Sequence, residues 1–237
     1  MFSFYVGMAV PAALMLYLTL PARPKIWLFV FFVLLLADLL SFSRGGYAGL
    51  LLSGAWLLLI SGVLRQWNMR KVIVSLCLAV LFSVGIGVTP FGERLVSSFS
   101  QEDGSNRERL RLWQEATQYI GERPLVGTGL GNYPLLVKPS ASYREPIYAH
   151  NLFLDIALEL GLVGLGLFLA LVGRAVKGAW DARHRAESLG GIIVLSLMVF
   201  LGHAVFETPL FSVHILPVLL LFLALGVSCQ YDKKNDS

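Results

Sequence analysis

The sequence predicts an all-α polytopic membrane protein with about seven transmembrane helices and one large extracytoplasmic loop that contains an amphipathic helix. Three observations predict it. The chain is 56% hydrophobic and 14% charged, with a mean hydropathy of +0.70, far more apolar than an ordinary soluble domain. Seven apolar runs approach the ~20 residues a bilayer core demands: Tyr5 to Leu20, Ile26 to Leu40, Gly46 to Leu64, Val72 to Val88, Asn151 to Val172, Leu189 to Phe206 and Leu210 to Cys229. Between the fourth and fifth runs lies a long polar stretch, Thr89 to His150, with helical signals of its own.

The connections follow from charge. Arg23 and Lys25, then Arg65, Arg70 and Lys71, then Arg174, Lys177, Arg183 and Arg185 cluster in alternate connections, which the positive-inside rule places in the cytoplasm. The net charge of +4 is therefore an orientation signal, not a nucleic-acid footprint. The remaining connections face outward: the turn at Ser41 to Gly45, the Thr89 to His150 loop and the turn at Glu207 to Pro209. The expected organisation is transmembrane helices over 1–88, an extracytoplasmic loop over 89–150, further spans over 151–230 and a cytoplasmic tail over 231–237. The opening segment lacks a basic region before its apolar stretch and reads as a span that is not cleaved. An odd number of spans leaves the amino terminus outside, which predicts a further upstream portion. Two cysteines, Cys77 and Cys229, make neither a disulfide framework nor a thiolate metal site. No His/Cys/Asp/Glu spacing suggests a metal, and no cofactor is expected.

Within the loop, Ser105-Asn106-Arg107-Glu108 fits a capping box and predicts a helix from Asn106. Leu110, Trp113, Ala116 or Thr117, and Ile120 continue it at helical spacing, and Gly121 with Pro124 stops it. The Gly127-Thr128-Gly129-Leu130-Gly131 segment that follows has no preceding strand and lacks the dinucleotide spacing, so it is a turn region, not a nucleotide cradle.

Three residues stand out for chemistry. Arg44 sits between two apolar runs, where it either snorkels as an interface anchor or lines a polar cavity. Of three arginines opening the loop helix, Arg111 has Glu115 as an i,i+4 partner. Arg109 has no acidic residue at i±4 and shares the docking face with Trp113; spacing leaves it open between a solvated role and a grip on phosphate. His150 stands where the loop re-enters the membrane, after Tyr148, and can accept a proton near neutral pH or serve as a hydrogen-bonded structural residue. Asn151, Asp155 and Glu159 extend from it as a polar stripe on a membrane helix, which must face the bundle interior or a wet cavity. His203 and Glu207, spaced i,i+4, either join that chamber or serve helix packing.

Ser43-Arg44-Gly45, Arg109-x-x-x-Trp113, Pro124-Leu125-x-Gly127-x-Gly129-x-Gly131-Asn132, and His150-Asn151-x-x-Leu154 with Glu159-x-Gly161 occur in the order and setting of the O-antigen ligase and polymerase family. The chain resembles that family over roughly residues 30 to 175, as its carboxyl-terminal portion. The resemblance implies a metal-independent, inverting membrane glycosyltransferase at the periplasmic face of the bacterial inner membrane. Its donor would be an undecaprenyl diphosphate-linked glycan and its acceptor a lipid A core, a growing polysaccharide or a protein hydroxyl. It implies Arg44 and Arg109 as the diphosphate grip, His150 as general base, and Arg44, Arg109, Trp113, Tyr148 and Asn151 as the binding set. Two further readings stay beside it: a flippase for the same lipid-linked glycan, and an inactive fragment of the family.

Overall fold

The computed structural model describes residues 2–20, 22, 24–60, 104–137, 148–182 and 187–229, and every regular element among them is helical. In chain order these are α1 (Phe2–Thr19), α2 (Lys25–Leu39), α3 (Arg44–Ile60), α4 (Gly104–Glu122), α5 (Tyr133–Val137), α6 (Leu152–Ala182), α7 (Glu187–Ala204), a 3-10 turn (Pro209–Phe211) and α8 (Ile215–Ser228). Helices thus occur where six of the apolar runs predict them, and the Val72 to Val88 run lies outside the described residues. By length and composition, α1 and α6 suffice to cross a bilayer, while Leu189–Ala204 of α7 and α8 are shorter apolar helices.

Helix α7 is the hub, packing against α3, α1, α6 and α8. A helix apolar all round must be enclosed by protein or lipid, and Ile193, Val194, Leu195, Leu197, Met198, Val199 and Phe200 of α7 are all buried. Ser196, its buried hydroxyl, donates to the Met8 carbonyl of α1 at 2.8 Å. Against α3 the approach is closer still: a Cβ on Gly49 would lie 2.4 Å from the Val199 carbonyl oxygen, and one on Gly202 would lie 2.6 Å from the Gly49 Cα. Small residues at such crossings let backbones touch, the usual solution for helices packing in lipid. Helix α2 instead turns Phe29, Phe32, Val33 and Leu36 outward, an apolar face suited to lipid.

The sequence predicts one continuous helix from Asn151 to Val172, but α6 is broken at Gly161, where φ is 71° and ψ is −179°. The Gly-rich segment after α4 fills the break. Thr128 N–H donates to the Leu158 carbonyl (2.8 Å), Gly129 N–H to the Glu159 carbonyl (2.9 Å), and Leu162 N–H to the Pro124 carbonyl (2.7 Å). The Leu158 and Glu159 carbonyls and the Leu162 N–H beside the break thereby find partners in the loop segment, the kind of satisfaction that irregular backbone in a membrane protein requires. Gly127 approaches so closely that a Cβ there would fall 2.5 Å from the Glu159 carbonyl group. The glycines of this segment are a structural lock on α6.

The loop helix α4, described over Gly104–Glu122, includes the expected start at Asn106 and packs on α6. Its docked face is rotated from the expected stripe. Leu112 and Ala116 are buried with Trp113, Tyr119 and Ile120 against Tyr133, Ala149 and Leu158, whereas Leu110 is exposed. Tyr133 donates its hydroxyl to the Leu112 carbonyl at 3.3 Å along that buried edge.

Candidate active site at the Glu207 carboxylate

Arg109 and His150, which lie on different elements, meet at one carboxylate. Arg109 Nη2 donates to Glu207 Oε1 at 3.2 Å, and His150 Nδ1 lies 3.4 Å from Glu207 Oε2. Arg109 therefore does have an acidic partner, 98 residues away instead of one helical turn away. Arg111 behaves as its spacing predicts: its guanidinium pairs with Glu115 at 3.5 Å and also with Glu108 at 3.2 Å, on the exposed side of α4.

A buried framework fixes this junction. Asp155 Oδ1 accepts from the Ala149 N–H at 2.8 Å, and Asp155 Oδ2 accepts from the Thr208 hydroxyl. One carboxylate thus holds both chain neighbours of the site, the residue before His150 and the residue after Glu207. Asn151 caps α6, its Oδ1 accepting from the Phe153 N–H (3.0 Å) and the Leu154 N–H (3.2 Å). Glu159 accepts from the Gly131 backbone. The polar stripe of Asn151, Asp155 and Glu159 is therefore engaged in tying loop segments to α6. Between the cap and the Asp155 anchor, His150 adopts φ 51°, a left-handed conformation uncommon for a non-glycine residue. Such strain persists where the surroundings over-determine it, and it turns the imidazole toward the α7 end.

Trp113 donates its indole N–H to the Ala149 carbonyl at 2.7 Å and so clamps α4 onto the segment carrying His150. Tyr148, two residues before His150, is half-buried; burial, then the charges of Glu159 and Asp155, push its hydroxyl up, so it stays a neutral phenol. Arg44 is the first residue of α3 and is half-buried. Its neighbours are pinned to α7: Ser43 Oγ lies 3.2 Å from His203 Nε2, and a Cβ on Gly45 would fall 2.2 Å from the His203 ring. His203 is itself buried and stacked on Phe4, with centroids 3.6 Å apart. The structure joins Arg109 and His150 through the Glu207 carboxylate and links Arg44 to them more remotely, through Ser43, His203 and the four residues to Glu207.

Burial pushes the Glu207 carboxyl up, but the hydrogen bond and charge of His150, then the charges of Arg109 and His203, outweigh it and hold the group below its usual 4.5. The sign follows from linkage. A depressed folded value stabilises the fold above the unfolded value and loses that contribution as pH falls through the folded one. Glu207→Gln is therefore expected to lower the melting temperature of the detergent-solubilised chain at pH 7, with the difference from wild type closing as pH falls below about 4.5. A difference that does not narrow at all as pH falls below 4.5 would contradict the assignment.

Sequence spacing offered Glu207 as one of two options and missed Thr208 altogether. An acidic residue four beyond a histidine at the end of an apolar run was the available signal for Glu207. Thr208 has no comparable signal, since its partner Asp155 lies 53 residues away.

The family model for O-antigen ligase matches residues 29–169, a range that holds Arg44, Arg109, Trp113, His150 and the α6 break. An O-antigen ligase of Salmonella typhimurium is 31% identical over 180 residues, covering 66% of this chain and 43% of its own length. A protein of Rickettsia bellii, provisionally named as a polysaccharide ligase, is 26% identical over 212 residues, covering 84% of this chain and 49% of its own. The chain thus spans about half the length of these relatives. With the matched range covering more than half of the 237 residues, the chain belongs to the O-antigen ligase family, a family of membrane proteins.

Proposed function

We propose that this chain forms the acceptor-activating half of a glycan ligase or polymerase that transfers a glycan from undecaprenyl diphosphate to an acceptor hydroxyl. The observation that carries the reading is the meeting of Arg109 and His150 at Glu207, which sets a phosphate-binding cation beside a proton acceptor. With Nδ1 directed at the carboxylate, Nε2 of His150 is the nitrogen left to take a proton. The 3.4 Å contact is long, as such bonds often are before substrate tightens them.

In the proposed step the acceptor O–H gives its proton to His150 Nε2 as its oxygen attacks the anomeric carbon. The bond from that carbon to the diphosphate oxygen breaks on the opposite side, so configuration inverts. Undecaprenyl diphosphate leaves with the electron pair, and Arg109 and Arg44 stabilise the added charge. Trp113, Tyr148 and Asn151 shape the surrounding surface. The site would face the periplasm from the inner membrane, and the reaction would need no metal. The acceptor would be a lipid A core, a growing polysaccharide or a protein hydroxyl, the first being favoured by the likeness to an O-antigen ligase.

Arg109→Ala and Arg44→Ala are each expected to lower transfer about 10²-fold or more, the usual cost of removing one preorganised charge-stabilising donor. Arg109→Lys should recover little of the loss, since an ammonium lacks the planar fork. Surface glycan measured in cells depleted of the native transferase would check both, with membrane abundance of the variants held equal. A break in a membrane helix, like that at Gly161, is also a feature of transporters, so the same cells separate a flippase. Loss of a ligase leaves lipid-linked glycan accumulated on the outer leaflet, whereas loss of a flippase leaves it on the inner one.

A further inference from the structure

Glu207 has two clients and a rigid base. Its oxygens are divided between Arg109 of α4 and His150 of the segment before α6, at 3.2 and 3.4 Å. Its chain position is fixed from both sides: Thr208 is bonded to buried Asp155, and His203, four residues earlier, is stacked on Phe4 and in contact with Ser43. The carboxylate itself remains 41% exposed, so an incoming ligand can reach it. A guanidinium binds carboxylate and phosphate oxygens in the same geometry. On Arg109, Glu207 therefore occupies the place that a phosphate of the donor would take.

We propose that Glu207 is a positioning residue that holds Arg109 until the donor diphosphate displaces it, and that it then serves His150 alone, so that donor binding readies the base. Before binding, the carboxylate is shared between a cation and an imidazole. After Arg109 turns to the diphosphate, the full charge of Glu207 faces the Nδ1–H of His150, which fixes the tautomer and stabilises the imidazolium that forms as Nε2 takes the acceptor's proton. Binding and base strength are coupled without a large motion, because only one guanidinium changes partner. The inference rests on the glycan-transfer reading above.

The test compares wild type with Glu207→Gln as full chains in nanodiscs, measuring undecaprenyl diphosphate affinity and glycan transfer from the lipid-linked donor. The amide competes poorly for Arg109, so the dissociation constant for undecaprenyl diphosphate should fall about threefold or more. It also leaves Nδ1 a neutral amide oxygen in place of a carboxylate, so the imidazolium formed in the step loses its counter-charge and turnover should fall at least about tenfold. Glu207→Asp keeps the charge on a shorter stem and should restore part of the turnover. Tighter carrier binding with slower turnover supports the proposal. Weaker binding together with slower turnover, unchanged turnover, or an aspartate variant no better than the amide overturns it. If the amide variant does not assemble, the aspartate variant decides: its shorter stem should loosen the hold on Arg109, so tighter carrier binding with turnover kept in part supports the proposal, and weaker carrier binding overturns it. A wild-type chain that binds no undecaprenyl diphosphate overturns the transfer reading as well, which separates the two failures.

Discussion

Replacing His150 with alanine is expected to abolish glycan transfer while leaving the chain assembled in the membrane. The side chain is 42% exposed and lies before α6, so its loss opens no core cavity. Its chemistry is not replaceable from nearby: Glu207 and Arg109 are already engaged with each other, and a general base contributes about 10² to 10⁴ in rate. The backbone adds a complication that the design must control. At φ 51°, alanine meets a left-handed conformation that asparagine tolerates better. His150→Asn is therefore the matched variant, keeping the conformation and removing the base. Both should be inactive at equal membrane abundance. Transfer by the asparagine variant near the wild-type rate would remove His150 from the chemistry and leave it a structural residue.

The largest effect on folding is expected at Gly161. Its combination of φ 71° and ψ −179° is essentially confined to glycine, and forcing another residue into it costs about 1–3 kcal/mol. A Cβ there would also fall 2.1 Å from the Leu125 carbonyl oxygen and 2.5 Å from the Val126 nitrogen. These are backbone atoms of the segment that satisfies the broken helix, so relief of the clash requires unlacing the hydrogen bonds at Leu158, Glu159 and Leu162. Gly161→Ala should therefore lose the monodisperse peak of the detergent-solubilised chain, or lower its melting temperature by several degrees or more. Gly173→Ala is the internal comparison. It lies in the same helix, its Cβ would meet nothing within 4 Å, and alanine is the better helix former there by ~0.5–1 kcal/mol. Equal behaviour of the two variants would contradict the lock.

These two predictions also mark what sequence reasoning can reach. The helices were legible because apolar runs of span length leave few other structures for the backbone. Arg109 was separable from Arg111 because their surroundings differ within one helical turn, where spacing carries information. The break at Gly161 was not legible in the same way. Apolar residues continue on both sides of it, so hydropathy gives no sign of a change that depends on the Pro124 carbonyl accepting from Leu162 and the Thr128 N–H donating to Leu158, far away in the chain. The rotation of α4 escaped for a related reason. Leu110 and Leu112 are equally apolar, and the choice between them is made by Tyr133 and Leu158, not by the helix. The pairing of Arg109 with Glu207 is the sharpest case. An arginine without a partner at i±4 is not an arginine without a partner, and that contact exists only once α4 is laid across the end of α7.

The central claim, that the Arg109, Glu207 and His150 junction transfers a glycan from a diphosphate carrier, is tested most directly by reconstitution. The chain in nanodiscs would be given an undecaprenyl diphosphate-linked glycan and a lipid A core acceptor, with a chelator present, and the new linkage read by NMR. The account predicts a glycosidic bond of inverted anomeric configuration, formed by wild type and lost in His150→Asn. A folded wild-type chain that binds the carrier yet forms no linkage, or forms one with retained configuration, would contradict it.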